Sequence, residues 1–285
     1  YSLVKISLFI EEESLLKDAR RAASLITSEK ILADRKLDLM HGTSGAILGL
    51  LTLYAEIGDQ KVLDKAILCG QHLLKNQISI DNYPKAWQTL KEKPLTGFAH
   101  GAAGIIYSLL RLYAVTQDNA YLTAACEGIE YERLVFFREQ NNQPSFRFVA
   151  WCHGAPGISL ARLGGLSILE TDEILQQVDV TLQTTEKYGL HEVDFLCCGN
   201  FGRIESLLVA AQRLSRLDLL ETAQKQATWL VAQAENTGGY QLFPNLPNHE
   251  LSVFSPSFFR GTAGIGYQLL RLAHPELIPS VLLWE

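Results

Sequence analysis

Apolar residues along the chain follow two alternating patterns. In the first they recur at helical spacing between polar residues, as in "LLKDARRAASLI" (15–26), "VLDKAILCGQHLL" (62–74), "YLTAACEGIEYERLVFF" (121–137), "EILQQVDVTLQTTEKY" (173–188) and "LLETAQKQATWLVAQAE" (219–235). Each stretch predicts an amphipathic helix with one buried stripe. In the second pattern a Gly-x-x-Gly pair opens a run that is apolar nearly all round. These segments read "HGTSGAILGLLTLYAEIGD" from His41, "HGAAGIIYSLLRLYAVTQD" from His100, "HGAPGISLARLGGL" from His153, "CGNFGRIESLLVAAQRLSRLD" from Cys198 and "RGTAGIGYQLLRLAHPE" from Arg260. Self-similarity on this scale is the mark of a repeat architecture. A polar-faced helix that alternates with a helix buried on most sides predicts an outer ring of helices around an inner ring. The expected fold is all-α, an α/α toroid or a curved solenoid. The glycines are expected to let the inner helices start close together, where a Cβ would crowd. Strand signals are sparse apart from "FRFVAWC" (146–152).

Composition narrows the class. The chain has 285 residues, 47% hydrophobic and 20% charged, enough for a large core in a soluble globular protein. A net charge of −6 argues against a nucleic-acid module, which shows a basic face. No apolar run approaches the ~18 residues that a membrane span needs. The opening "YSLVKISLFIEEES" turns acidic too early for a signal peptide, and the start at Tyr1 leaves room for an upstream segment. Five cysteines, an odd count at low density, fit reduced thiols and a cytoplasmic location.

Two of those cysteines, Cys69 and Cys126, fall mid-helix and read as small buried hydrophobes. His72, His191, His249 and His274 share no motif and read as ordinary surface or packed residues. Cys152, Cys197 and Cys198 occupy turns before apolar helices. Cys197 and Cys198 are adjacent, which rarely meets disulfide geometry. Three soft ligands from two turns suit a soft or borderline metal, zinc in a reducing compartment, and leave a fourth tetrahedral position open. The alternative is three unrelated buried thiols, since no C-x-x-C pair is present. His100, in "LTGFAHGAAG", reads either as a proton donor near neutral pH or as a histidine capping its own turn. His41 and His153 share its context, so position does not choose among them. Asp38, in "LDLMHGTSG", either orients a cavity histidine or serves as an N-cap-like residue.

"LTGFAHGAAGI", "WCHGAPGISLARL", "LCCGNFGRIESLL" and "GTAGIGYQLLRLAHPELIPSVLLWE" strongly resemble the lanthionine synthetase C-like cyclases, above all the C-terminal cyclase domain of class II, LanM-type lanthipeptide synthetases. The resemblance runs from Tyr1 to Glu285, in order and without large gaps. It implies an α/α toroid, one zinc ion per chain and closure of thioether rings in a dehydrated precursor peptide. It places the zinc ligands at Cys152, Cys197 and Cys198, the last standing where the family commonly has histidine. It places the acid/base histidine at His100 and its partner aspartate at Asp38. Some members carry an arginine four residues before the first zinc cysteine. Phe148 holds that place here, and Arg147, one residue further off, is the substrate-binding candidate. The family's toroid has seven helix pairs, so residues 1–285 are expected to form a partial cyclase domain with about five of them. Upstream repeats and an N-terminal dehydratase domain would belong to the full-length synthetase. No nucleic acid and no membrane are expected as partners. The competing reading is a non-catalytic, zinc-stabilised peptide-binding module. A prenyltransferase-like zinc protein lacks its Asp and His ligand pattern here. A toroidal glycosidase needs paired carboxylates, and the glycine segments offer few acids besides Asp38 and Glu205.

Overall fold

The computed structural model describes residues 1–79, 83–137, 149–243 and 255–285, and within them every glycine segment opens a helix. These are α4 (Thr43–Ile57), α6 (Ala102–Thr116), α8 (Ala155–Gly165), α10 (Asn200–Leu214) and α12 (Thr262–Ala273). The amphipathic runs supply α2 (Ser14–Ser24), α5 (Gln60–Lys75), α7 (Asn119–Glu132), α9 (Asp172–Tyr188) and α11 (Leu217–Thr237). Two further helices, α1 (Ser2–Ile10) and α3 (Ser28–Ala33), lie near the N-terminus. A π-helical turn over Arg133–Phe137 continues α7, and a 3-10 turn covers Val281–Leu283. Side-chain caps start three of the amphipathic helices: Asp59 and Asp118 accept from Lys61 N and Ala120 N, and Thr171 accepts from Ile174 N. No strand forms among the described residues. Of the stretch expected as a strand, 146–148 lie outside them, and Val149 makes one isolated bridge to Gly154.

The helices divide between two compact units. In the first, Tyr1–Glu139 with Trp284, α5 packs on α4 and α7 on α6, and α4 lies against α6. In the second, Gln140–Leu283 with Glu285, α9 packs on α8 and α11 on α10, and α10 contacts both α8 and α12. Burial follows the two sequence patterns. All eleven residues of α8 are buried, as is α10 from Asn200 to Ala211, whereas α11 buries only Leu219, Ala223, Ala227 and Leu230. Each leucine sunk in this way contributes about 1.5–3 kcal/mol. The last glycine helix departs from its pattern: α12 buries Gly264, Ile265, Gln268 and Arg271, while Leu270 is exposed.

The glycines are needed for a more local reason than helix crowding. A Cβ on Gly45, Gly104, Gly202 or Gly264 would fall 1.8–2.0 Å from the carbonyl oxygen of Leu39, Phe98, Leu196 or Phe258. In all four segments that carbonyl belongs to the residue six positions earlier. Each helix therefore starts on top of its own turn, and the chain folds back so tightly that no side chain fits. Neighbouring turns crowd the same positions: Leu39 Cβ would lie 3.4 Å from a Cβ on Gly104, and Leu196 Cδ1 2.9 Å from one on Gly264.

Candidate functional site

Three turns of the second unit are sewn together by backbone hydrogen bonds. Cys152 N donates to the Cys197 carbonyl at 3.4 Å, and Cys197 N donates to the Phe259 carbonyl at 2.9 Å. Arg203, buried on α10, donates to the Val149 carbonyl at 3.1 Å and the Cys198 carbonyl at 3.4 Å, so one guanidinium holds both cysteine turns. It also pairs with the Asn200 side chain and lies over the Tyr188 ring, 5.1 Å from its centroid. Burial pulls this guanidinium down to about 10, opposed by Tyr188, Asp194 and Cys198. The Trp151 ring stacks on Phe259 at 5.4 Å, and its indole N–H donates to the Leu282 carbonyl.

This framework gathers three sulfurs. Cys152 Sγ lies 3.1 Å from Cys198 Sγ, which lies 3.3 Å from Cys197 Sγ. All three are free thiols within 4.8 Å of one another. A disulfide requires ~2.05 Å. Ligands on one tetrahedral ion with metal–sulfur bonds of ~2.3 Å stand ~3.8 Å apart, so small side-chain shifts bring these sulfurs to one metal. The donor set suits a soft or borderline divalent ion and leaves a coordination position unclaimed by the three.

The thiols titrate as a set. Hydrogen bonding to Cys152 and Cys197, with the positive fields of Arg260 and His153, draws the Cys198 thiol down to about 3 against burial. Cys152 is held far above the usual thiol range by hydrogen bonds to Cys197 and Cys198 and by burial. Cys197 is helped by Cys152, but its bond to Cys198 and its burial push it up to about 12. One negative charge therefore resides readily in the cluster, and a bound cation would take the place of the remaining protons.

In the first unit, Asp38 is fully buried below the turn that opens α4. One carboxylate oxygen accepts from His41 N at 2.7 Å, and the other accepts from His100 Nδ1 at 2.9 Å. Asp38 thus bonds the backbone of its own turn with one oxygen and the His100 ring with the other. His100 is partly buried, and its carbonyl accepts from the Thr89 hydroxyl at 2.6 Å. The exposed His41 ring lies parallel to that of His100 at 5.5 Å, with its Nδ1 3.8 Å from Asp38.

The lanthionine synthetase C-like protein family matches residues 1–283. The chain belongs to that family. A curated relative, glutathione S-transferase LANCL1 of Danio rerio, is 34% identical over 86 residues, which are 30% of this chain and 18% of that protein. Among solved structures, nisin cyclase superposes with a TM-score of 0.64 at 18% identity, covering 98% of this chain and 73% of its own. The likeness shows the fold expected from the sequence, all-α and of the α/α-toroid class. A GH76 α-mannanase of Bacteroides thetaiotaomicron reaches a TM-score of 0.50 at 16% identity over 73% of this chain and 63% of its own.

Set against the family's motifs, Cys152, Cys197 and Cys198 meet in the second unit, and Asp38 and His100 meet in the first. Arg147 lies outside the described residues, as do Phe148 and His249. Cys69 is buried as expected, but Cys126 is exposed: it falls on the outward side of α7, between the buried Ala125 and Gly128. His72 is buried and pairs with the Asp34 carbonyl at 2.9 Å, and His191 stacks on Tyr188. Glu205 is engaged in packing, accepting from Gln268, Arg271 and Ser280 at 2.5–2.8 Å. Sequence reasoning passed over Arg203, although a charge in the first turn of a mostly apolar helix was a signal that something inside must receive it.

Proposed function

We propose that this chain closes thioether rings in peptides, joining cysteine thiols to dehydroalanine or dehydrobutyrine residues with the help of zinc. The observation that carries the reading is the convergence of three thiols from two turns, within 4.8 Å, in a member of this family. Cys152, Cys197 and Cys198 would hold the ion, and Arg203 would fix their turns. A bound zinc would supply Lewis acidity, lowering the pKa of an incoming thiol from its ordinary ~8.5 so that the proton is released to water and the sulfur stays a thiolate.

The remaining chemistry falls to side chains of the protein. The peptide thiolate forms a bond to the β-carbon of the dehydroamino acid, the carbon–carbon double bond opens, and the electron pair passes to the neighbouring carbonyl as an enolate. His100, in its protonated form, delivers a proton to the α-carbon. Asp38 accepts from Nδ1 of that ring at 2.9 Å, which fixes the ring and leaves Nε2 as the donating atom. The reaction neither consumes nor produces a redox equivalent. Its substrate must first lose water from serine or threonine, so a dehydratase acts before it. By its resemblance to LanM-type synthetases, we propose an N-terminal dehydratase domain of the full-length synthetase as that partner.

The reading is tested by metal analysis and turnover together. Monomeric protein should carry about one zinc, and Cys197→Ala should lose it. With a dehydrated peptide, the wild type should consume peptide thiol and the variant should not. Zinc and peptide binding without loss of thiol would instead describe the non-catalytic module. The zebrafish relative's name also denotes a reaction of a thiol, so glutathione serves as the control nucleophile. Rings formed within the peptide while glutathione stays free support the proposal.

A further inference from the structure

The residue just before the first glycine is His41, His100, His153, Cys198 and Arg260 in the five segments. In the second unit, the turns carrying the last three lie together. Arg260 holds in its turn the place that Cys198 holds in its own: Gly199 and Gly261 follow as extended N-caps of α10 and α12. Its neighbour Phe259 is pinned twice to the cysteine turns. The Phe259 carbonyl accepts from Cys197 N at 2.9 Å, and the Phe259 ring stacks at 5.4 Å on Trp151, the residue before Cys152. Arg260 N reaches the Ser257 hydroxyl at 3.4 Å, so its own turn is also held. Arg260, exposed and charged at any working pH, therefore rises from a turn pinned beside the cysteine turns, and its guanidinium hydrogen-bonds Cys197.

We propose that Arg260 is a positioning residue for the incoming thiol, offsetting the surplus negative charge of a three-cysteine metal centre so that a fourth thiolate can enter. The proposal rests on the zinc reading given above. Three thiolates around a dication carry a net −1, and a peptide thiolate makes that −2. A centre of two cysteines and one neutral histidine would pass only from 0 to −1. One arginine beside the cluster restores the second balance without joining the coordination sphere. The field of Arg260 acts on all three sulfurs, most on Cys197 and Cys198. Arg203 also lends positive charge to Cys198, but it is buried and held on the Val149 and Cys198 carbonyls and on Asn200, so it cannot move to meet an incoming sulfur as the exposed Arg260 can.

The test uses the whole chain reconstituted with cobalt(II) and titrated with 2-mercaptoethanol at fixed pH, following the thiolate-to-cobalt charge-transfer band. A unit charge acting across ~6 Å, in an effective dielectric of ~40 for an exposed side chain, is worth about a tenfold change in affinity. Arg260→Gln should therefore keep one metal per chain and bind the thiol about tenfold more weakly. Arg260→Lys should recover most of the loss. Raising the salt should weaken thiol binding to wild type toward the level of Arg260→Gln, because an exposed charge is screened. Unchanged thiol affinity in Arg260→Gln overturns the proposal, and so does loss of metal in that variant, which would make Arg260 a support of the turn. A wild type that takes up no cobalt overturns the metal centre itself, a separate failure read before any thiol is added.

Discussion

On the proposed zinc reading, Cys198 is the ligand on which the character of the site would turn. A histidine in its place would be neutral and would leave the ion pulling harder on the incoming sulfur. A third thiolate relaxes that pull and leaves the sulfur more nucleophilic. Cys198→His should retain about one metal per chain and slow ring closure about tenfold in single-turnover assays; an equal or faster rate would remove the charge argument. His100→Asn should keep its metal and lose rate or stereochemical control at the α-carbon, a loss on the order of 100-fold if proton delivery limits the reaction. An unchanged rate with an unchanged product pattern would exclude His100 from the chemistry. The other cysteines give an independent reading of the same residues. Burial pushes the Cys69 thiol up to about 12, so it stays protonated and unreactive, whereas Cys126 is exposed. In metal-loaded protein, iodoacetamide should modify Cys126 alone, and a chelator should add Cys198 first, since its thiolate is the most favoured of the cluster. Peptide mapping by mass spectrometry checks both statements.

At the scale of the element, the glycine-opened turn is the unit that delivers site residues. Gly202→Ala would set a Cβ 2.0 Å from the Leu196 carbonyl, and backbone on both sides has no room to yield. A loss of about 3 kcal/mol or more is expected in urea denaturation, with metal release because Cys197 and Cys198 lie inside the displaced turn. The glycine pairs were readable in the sequence because they recur, and so were the helices that follow them. The reason for each second glycine was not, since which carbonyl it meets depends on how the turn folds back. The amphipathic helices were legible almost to their ends: the run read over 173–188 is the helix Asp172–Tyr188. Cys126 misled because its neighbours Ala124 and Ala125 are buried and a helix turns by ~100° per residue, so one position separates inside from outside.

Across the whole molecule, the candidate groups divide by unit, with all three thiols in the second and the Asp38–His100 pair in the first. The sequence motifs named these residues, but which of them touch was not written in their spacing. The second unit also has a polar centre of its own, where Glu205 on α10 meets Arg271 and Gln268 on α12 and Ser280 beyond it. Glu205→Leu should cost about 3–5 kcal/mol in urea denaturation, because Arg271 is left buried without its partner, and adding Arg271→Met should recover much of that loss. In four of the five segments the turn is locked against its own backbone, whatever the residue ahead of the glycine. That residue occupies a socket: His41, His100, Cys198 and Arg260 are four occupants of one mounting. A single codon change there alters the reagent without renegotiating the scaffold. Selection can therefore act on chemistry at these positions while stability is guarded by the glycines beside them.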